Sequence, residues 1–192
     1  MDVAFQLSLL DDIDSREVAG LLPISRYLEE DAPTLHKVVI GTIQANLAGL
    51  VRDPNNRDDI NSMSLAGLSP LHIVVIKGDM EALRILLNAG ANLLLQHGAD
   101  INLLTNTGWS ILLHAAGYSE PAAIRHLVVH VGMDSECADG EGDTPLFNAI
   151  CHYRHENVIE LISLGANVRH VNKNRDTMLH YLAWFPDIEL IR

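Results

Sequence analysis

Ten histidines occur among 192 residues, so metal binding is the first chemistry to consider. His126 and His130 stand one helical turn apart, and His152 lies close to His155. A zinc site needs three or four ligands, and neither pair completes a His-Glu-x-x-His motif or has a Cys-x-x-Cys nearby. No metal and no other cofactor is expected.

Carboxylates offer a second possibility, because Asp134, Glu136, Asp139, Glu141 and Asp143 crowd into one ten-residue stretch. A calcium loop counted from Asp139 would need Gly at its sixth position and Glu at its twelfth, where Thr144 and Ile150 stand. What is left is a solvated loop or a docking site for a basic segment of a partner. Nucleophilic catalysis finds no support, since Gly108-Trp109-Ser110-Ile111-Leu112 lacks the closing Gly of a nucleophile elbow. Nor is there a Gly-Lys-Ser/Thr phosphate loop, so no catalytic residue is expected. Cys137 and Cys151 are too few for a disulfide framework, and the expectation is two unbridged thiols in a reducing, intracellular (cytoplasmic or nuclear) compartment.

The bulk composition narrows the classes further. A chain of this length builds one cooperative body, and 48% hydrophobic with 20% charged residues is ordinary for a globular protein. The formal charge of −12 disfavours nucleic acid, whose affinity comes from Lys and Arg displacing counterions. Residues 1–31 carry eight acids against Arg16 and Arg26. No apolar run reaches the roughly 18 residues of a membrane span, and Met1-Asp2-Val3-Ala4-Phe5 lacks the basic flank of a signal peptide. No membrane partner is expected.

The elements that position these residues emerge from an internal period. Gly67-Leu68-Ser69-Pro70-Leu71-His72, Gly108-Trp109-Ser110-Ile111-Leu112-Leu113, Gly142-Asp143-Thr144-Pro145-Leu146-Phe147 and Arg175-Asp176-Thr177-Met178-Leu179-His180 align with one another. Their hydroxyls at 69, 110, 144 and 177 are spaced 41, 34 and 33 apart. A second marker, the Gly that ends an apolar run, falls at Gly90, Gly132 and Gly165, which is 21, 22 and 21 residues after the first three hydroxyls. A weaker copy begins at Pro33-Thr34-Leu35-His36.

Each unit has a physical reading. Ser or Thr caps a first short helix, Pro at the next position loses no hydrogen bond, and the later Gly closes a second amphipathic helix in a left-handed conformation. Leu83, Leu86 and Leu87 share one face of such a second helix. Asp139-Gly140-Glu141-Gly142 and Asn172-Lys173-Asn174-Arg175 make hairpin-like links between units. No single pair of short helices buries its apolar face alone, so stability must come from neighbour stacking.

A period near 33 residues with Ser69-Pro70-Leu71-His72, Thr144-Pro145-Leu146 and Leu161-Ile162-Ser163-Leu164-Gly165-Ala166-Asn167 resembles the ankyrin repeat family. Departures are Ile111-Leu112-Leu113, Phe147 where His is usual, and Arg175 in place of Gly. The resemblance implies an all-α solenoid of helix-turn-helix units with short hairpin loops. The units span about 32–63, 64–98, 99–138, 139–171 and an incomplete 172–192, preceded by a helical cap over 1–31. It also implies a structural hydrogen-bonding role for His36, His72 and His180.

The function so implied is a protein-protein interaction scaffold whose concave face of loop tips and first helices binds another protein, the chain itself being a monomer. By register, Leu68, Trp109, Asp143 and Asp176 form one rung of that face, and Ile73, His114, Asn148 and Tyr181 the next. Glu141 joins them through the acidic loop. The alternative is a regulatory or structural segment of a larger protein with no partner of its own. The long 41-residue spacing places an insertion between Gly90 and Gly98, expected to add a helical turn, and Asp187 to Arg192 reads as the opening of a second helix.

Overall fold

The computed structural model describes residues 49–50, 53, 55, 57–64, 67–79, 82–83 and 100–184. Its helices are α1 (Arg57–Ile60), α2 (Pro70–Ile76), α3 (Ile111–Tyr118), α4 (Pro121–Arg125), α5 (Pro145–Cys151), α6 (His155–Ser163) and α7 (Met178–Trp184). A π-helical turn, His126–Val131, continues α4. The first helices α2, α3, α5 and α7 pack side by side, and α4 and α6 lie behind them as a second layer. The result is the expected all-α solenoid. Among the described residues the one β feature is the antiparallel bridge between Val171 and Thr177, and no helix is long and apolar enough to cross a membrane.

The hydroxyl register starts the first helices, with one exception. Ser69 accepts from the His72 amide at 3.3 Å while its own amide donates to His72 Nδ1 at 3.3 Å, a capping box in which imidazole takes the usual place of Glu or Gln. Ser110 accepts from the Leu113 amide, and the Thr177 amide donates to His180 Nδ1. Thr144 makes no side-chain cap, contrary to the expectation from its motif. Phe147 stands at the third helical position of that unit and has no acceptor to return. Its ring instead stands edge-on to His170, with centroids 5.8 Å apart.

Four hairpins precede the four first helices and are built alike. Five residues before each hydroxyl, the amides of Ser64, Thr105, Asp139 and Asn172 donate to the carbonyls of Leu68, Trp109, Asp143 and Asp176 at 2.9 to 3.1 Å. The turn then needs a left-handed residue two before the hydroxyl, and Gly67, Gly108 and Gly142 supply it with φ of 72°, 80° and 83°. These glycines also let the next hairpin come close. A Cβ on Gly67 would lie 2.6 Å from the Asn106 backbone nitrogen, and one on Gly142 would lie 3.1 Å from that of Lys173.

Arg175 occupies the same left-handed position with φ 66°. A side chain there costs about 1 kcal/mol or more relative to glycine. Arg175→Gly is therefore expected to raise stability by about 1 kcal/mol, read as a higher urea midpoint at unchanged m value. An unchanged or lower midpoint would show that the strain is relieved locally.

The second helices hold one surprise. From Ser110 to Gly132 is one residue longer than from Thr144 to Gly165, and the extra residue is absorbed as the π turn rather than a regular α-helix. Both helices still end on left-handed glycines, Gly132 at φ 82° and Gly165 at φ 93°. Leu83 is buried as expected of its face. The cap over 1–31, the copy at Pro33 with His36, the partners Leu86 and Leu87, the insertion between Gly90 and Gly98, and the segment 187–192 lie outside the described residues.

Candidate protein-binding face

The rung directly before the hydroxyls is assembled by a device repeated in every described unit. The amides of Leu68, Trp109, Asp143 and Asp176 donate to Ser64 Oγ, Thr105 Oγ1, Asp139 Oδ1 and Asn172 Oδ1 at 2.8 to 3.1 Å. A short polar side chain thus closes each hairpin and fixes the direction of the next residue. All four rung residues are half-buried, leaving part of each side chain open. These clamps were not recognised from sequence, although their spacing repeats the 41, 34 and 33 of the hydroxyls and every one is Ser, Thr, Asp or Asn.

The second rung is not a surface row. Ile73, His114, Asn148 and Tyr181 are all buried, between 1% and 9% exposed. The reason is geometric, because this position turns each first helix toward its neighbours in the stack. Asn148 Nδ2 donates to the Leu113 carbonyl of α3 at 2.6 Å. Tyr181 packs edge-on against Phe147 with centroids 4.8 Å apart, and its hydroxyl donates to Asp143 Oδ2 at 2.6 Å. His114 lies 5.6 Å from the His72 ring and 5.1 Å from Trp109. His114, Asn148 and Tyr181 thus reach across the seam between units, and Ile73 is buried in the core.

The acidic loop is largely engaged with its own fold. Asp134 accepts from the Glu136 amide, Glu136 from the Asn167 amide, and Asp139 from the amides of Glu141 and Asp143. Burial pushes the Asp143 carboxyl above its ordinary range, while hydrogen bonds from Tyr181 and Asn172 pull it partly back. Tyr181 is in turn raised, by burial first and by Asp143 second. Half-buried Glu141 gives its carbonyl to the Lys173 amide at 3.0 Å, which ties two hairpins together.

Behind the first rung, imidazoles and aromatic rings run through three units. His72 is lowered to about 4 by burial, with backbone groups of Trp109 and Leu103 opposing. His114 is lowered to about 3 by burial and then by His72 and His152. Burial also lowers His152, whose Nε2 lies 2.9 Å from the Tyr118 hydroxyl. His126 and His130 do approach, with centroids 5.1 Å apart, yet among the described residues no three His, Cys, Asp or Glu gather as a metal site would require. Burial raises both Cys137 and Cys151, the opposite of what activates a thiol.

Comparison with known proteins agrees with this architecture. A family model described as ankyrin repeats in three copies matches residues 89–172, and a single ankyrin repeat model matches 66–106. Protein phosphatase 1 regulatory subunit 27 of Mus musculus is 31% identical over 86 residues, which is 45% of this chain and 50% of that protein. Its Homo sapiens counterpart is 31% identical over 80 residues, 42% of this chain and 46% of that protein. A putative ankyrin repeat protein of fowlpox virus is 25% identical over 130 residues, 68% of this chain and 18% of that one. The chain therefore spans half or less of the length of these relatives. With the family models covering residues 66–172 and the stacked helices and hairpins in the same register, the chain belongs to the ankyrin repeat family.

Proposed function

We propose that the chain is a non-catalytic, intracellular scaffold that binds another protein through the face made by its hairpin tips and the rung Leu68, Trp109, Asp143 and Asp176. The observation that supports this most is the repeated clamp, which spends one polar side chain per unit to hold a half-open residue in register. Trp109 is the anchor of the rung, because a partly open indole buries much area at little entropy cost. Asp139 and Glu141 at the neighbouring tip suit a basic segment of the partner. The regulatory role in the names of the phosphatase relatives is compatible with a protein partner.

Replacing Leu68 and Trp109 together by Ala is expected to weaken binding of a partner captured by the wild type by more than about 2 kcal/mol. Ile159→Ala on the outer helix α6, 64% exposed, is the control and leaves affinity unchanged. Calorimetry on folded variants makes the comparison. Equal affinity for the double variant and wild type would remove the rung from the binding face. Neutralising Glu136, Asp139, Glu141 and Asp143 should slow association and flatten its salt dependence. A salt response identical to wild type would reduce the acidic loop to a structural element.

A further inference from the structure

One row of exposed apolar residues runs along the hairpins without contributing to the clamps. Six residues before the hydroxyls stand Met63, Leu104, Ala138 and Val171, one in each described unit. Met63 is 37%, Leu104 54% and Val171 51% exposed, and Ala138 is exposed as well. Single apolar residues on a surface need no explanation, but four at one register position in consecutive units form a line. The neighbouring position is always the polar clamp, so nothing in the hairpin itself requires its partner to be apolar.

Acidic charge gathers at one place along the line, beside Ala138, while Arg169, Lys173 and Arg175 flank Val171. Ala138 is small and lies beside Asp139, with Asp134, Glu136 and Glu141 in the same loop. A short side chain flanked by carboxylates leaves room for a long cationic one, whereas Leu104 and Val171 on either side offer larger apolar surfaces.

We propose that this row docks an extended segment of a partner protein, with apolar side chains on Leu104 and Val171 and a Lys or Arg between them over Ala138. Successive first helices pack about 10 Å apart, so Leu104 and Val171 are separated by about 20 Å. An extended chain rises about 3.3 Å per residue with alternate side chains on opposite faces, which makes the two apolar residues about six apart and puts the cation two or four residues after the first. The inference rests on the binding face proposed above and specifies the chemistry of what binds there.

The test is selection of a random 12-residue peptide library, displayed on phage, against the full chain. Peptides from the enriched pool are then synthesised and measured by calorimetry. Enriched sequences should carry apolar residues about six apart with Lys or Arg between, and Leu104→Ser with Val171→Ser should weaken them more than about tenfold. Raising salt should weaken them too, and Ile159→Ser should not. A pool that lacks the pattern, a pool that does not enrich, or affinity indifferent to the row variant overturns the proposal. So does self-association of the chain that the row variant abolishes, since a second copy would then be the occupant. If the peptides ignore the row but are lost with Leu68→Ala and Trp109→Ala, the row fails and the rung stands. If they ignore both, the binding face itself fails.

Discussion

Taking the pH from 7.5 to 4.5 is expected to remove about 5 kcal/mol of stability through His72 and His114 alone, on the order of the total for a small domain. Both rings are held near 4 and 3 in the folded chain against 6.5 when unfolded. The unfolded chain therefore binds protons that the folded chain refuses, so the stability contributed by these rings is complete above pH 6.5. It is lost as pH falls toward the folded values, each imidazole costing about 2 to 3 kcal/mol by pH 4.5. Asp143 works in the opposite sense, because a carboxyl raised by folding gains a proton more readily in the native state, and it offsets part of the loss.

A substitution separates these contributions. Neither ring nitrogen of His114 has a protein hydrogen-bond partner among the described residues, so His114→Phe forfeits no bond and keeps the contacts with His72 and Trp109. Urea midpoints at pH 7.5 and 4.5 should show about half the acid loss remaining in the variant. An acid loss equal to that of wild type would mean that the His114 ring is reached by water and titrates normally.

The periodic features were the ones readable before any coordinates. Ser69, Ser110, Thr144 and Thr177 mark the first helices because an N-cap and a following Pro or apolar residue are local chemistry. Gly132 and Gly165 mark the ends of the second helices for the same reason. What escaped was decided between units. His114 and Asn148 read as an outward rung by register alone, and only the neighbouring helix determines that they face the seam. Thr144 reads as a cap, yet Phe147 removes the reciprocal half of the box and the hydroxyl makes no cap bond. The π turn was written in the count of 22 residues from Ser110 to Gly132, but a one-residue excess could equally have gone into the loop. The clamps at Ser64, Thr105, Asp139 and Asn172 had both period and residue type in their favour. Charge does not reveal them, because only Asp139 is an acid and all four act as hydrogen-bond acceptors.

Asn157→Ala is expected to cost about 3 kcal/mol, more than any substitution on the binding rung. Asn157 is 1% exposed on α6, and its Nδ2 donates to the carbonyls of Ala116 and Ser119 at 2.9 Å each. Those carbonyls belong to the end of α3 in the preceding unit, where the last turn of a helix has no amides of its own to offer. Alanine removes the donor from two buried acceptors and opens a small cavity, an acceptor left without a partner costing about 1 to 3 kcal/mol. Arg154 also donates to the Ser119 carbonyl, at 2.8 Å, so that carbonyl keeps one partner and the Ala116 carbonyl carries most of the loss. Because this bond crosses from one unit to the next, its removal weakens the coupling between them rather than one helix pair, which in a stacked array lowers cooperativity as well as the midpoint. The measurable signature is a urea midpoint shifted down with a shallower transition. Glu156→Ala, one residue away and exposed, should stay within about 0.5 kcal/mol of wild type. If Asn157→Ala unfolds at the wild-type midpoint with the wild-type slope, the Asn157 bridge contributes nothing to the stack, and the two units are held by apolar packing and by the bonds from Asn148 and Arg154.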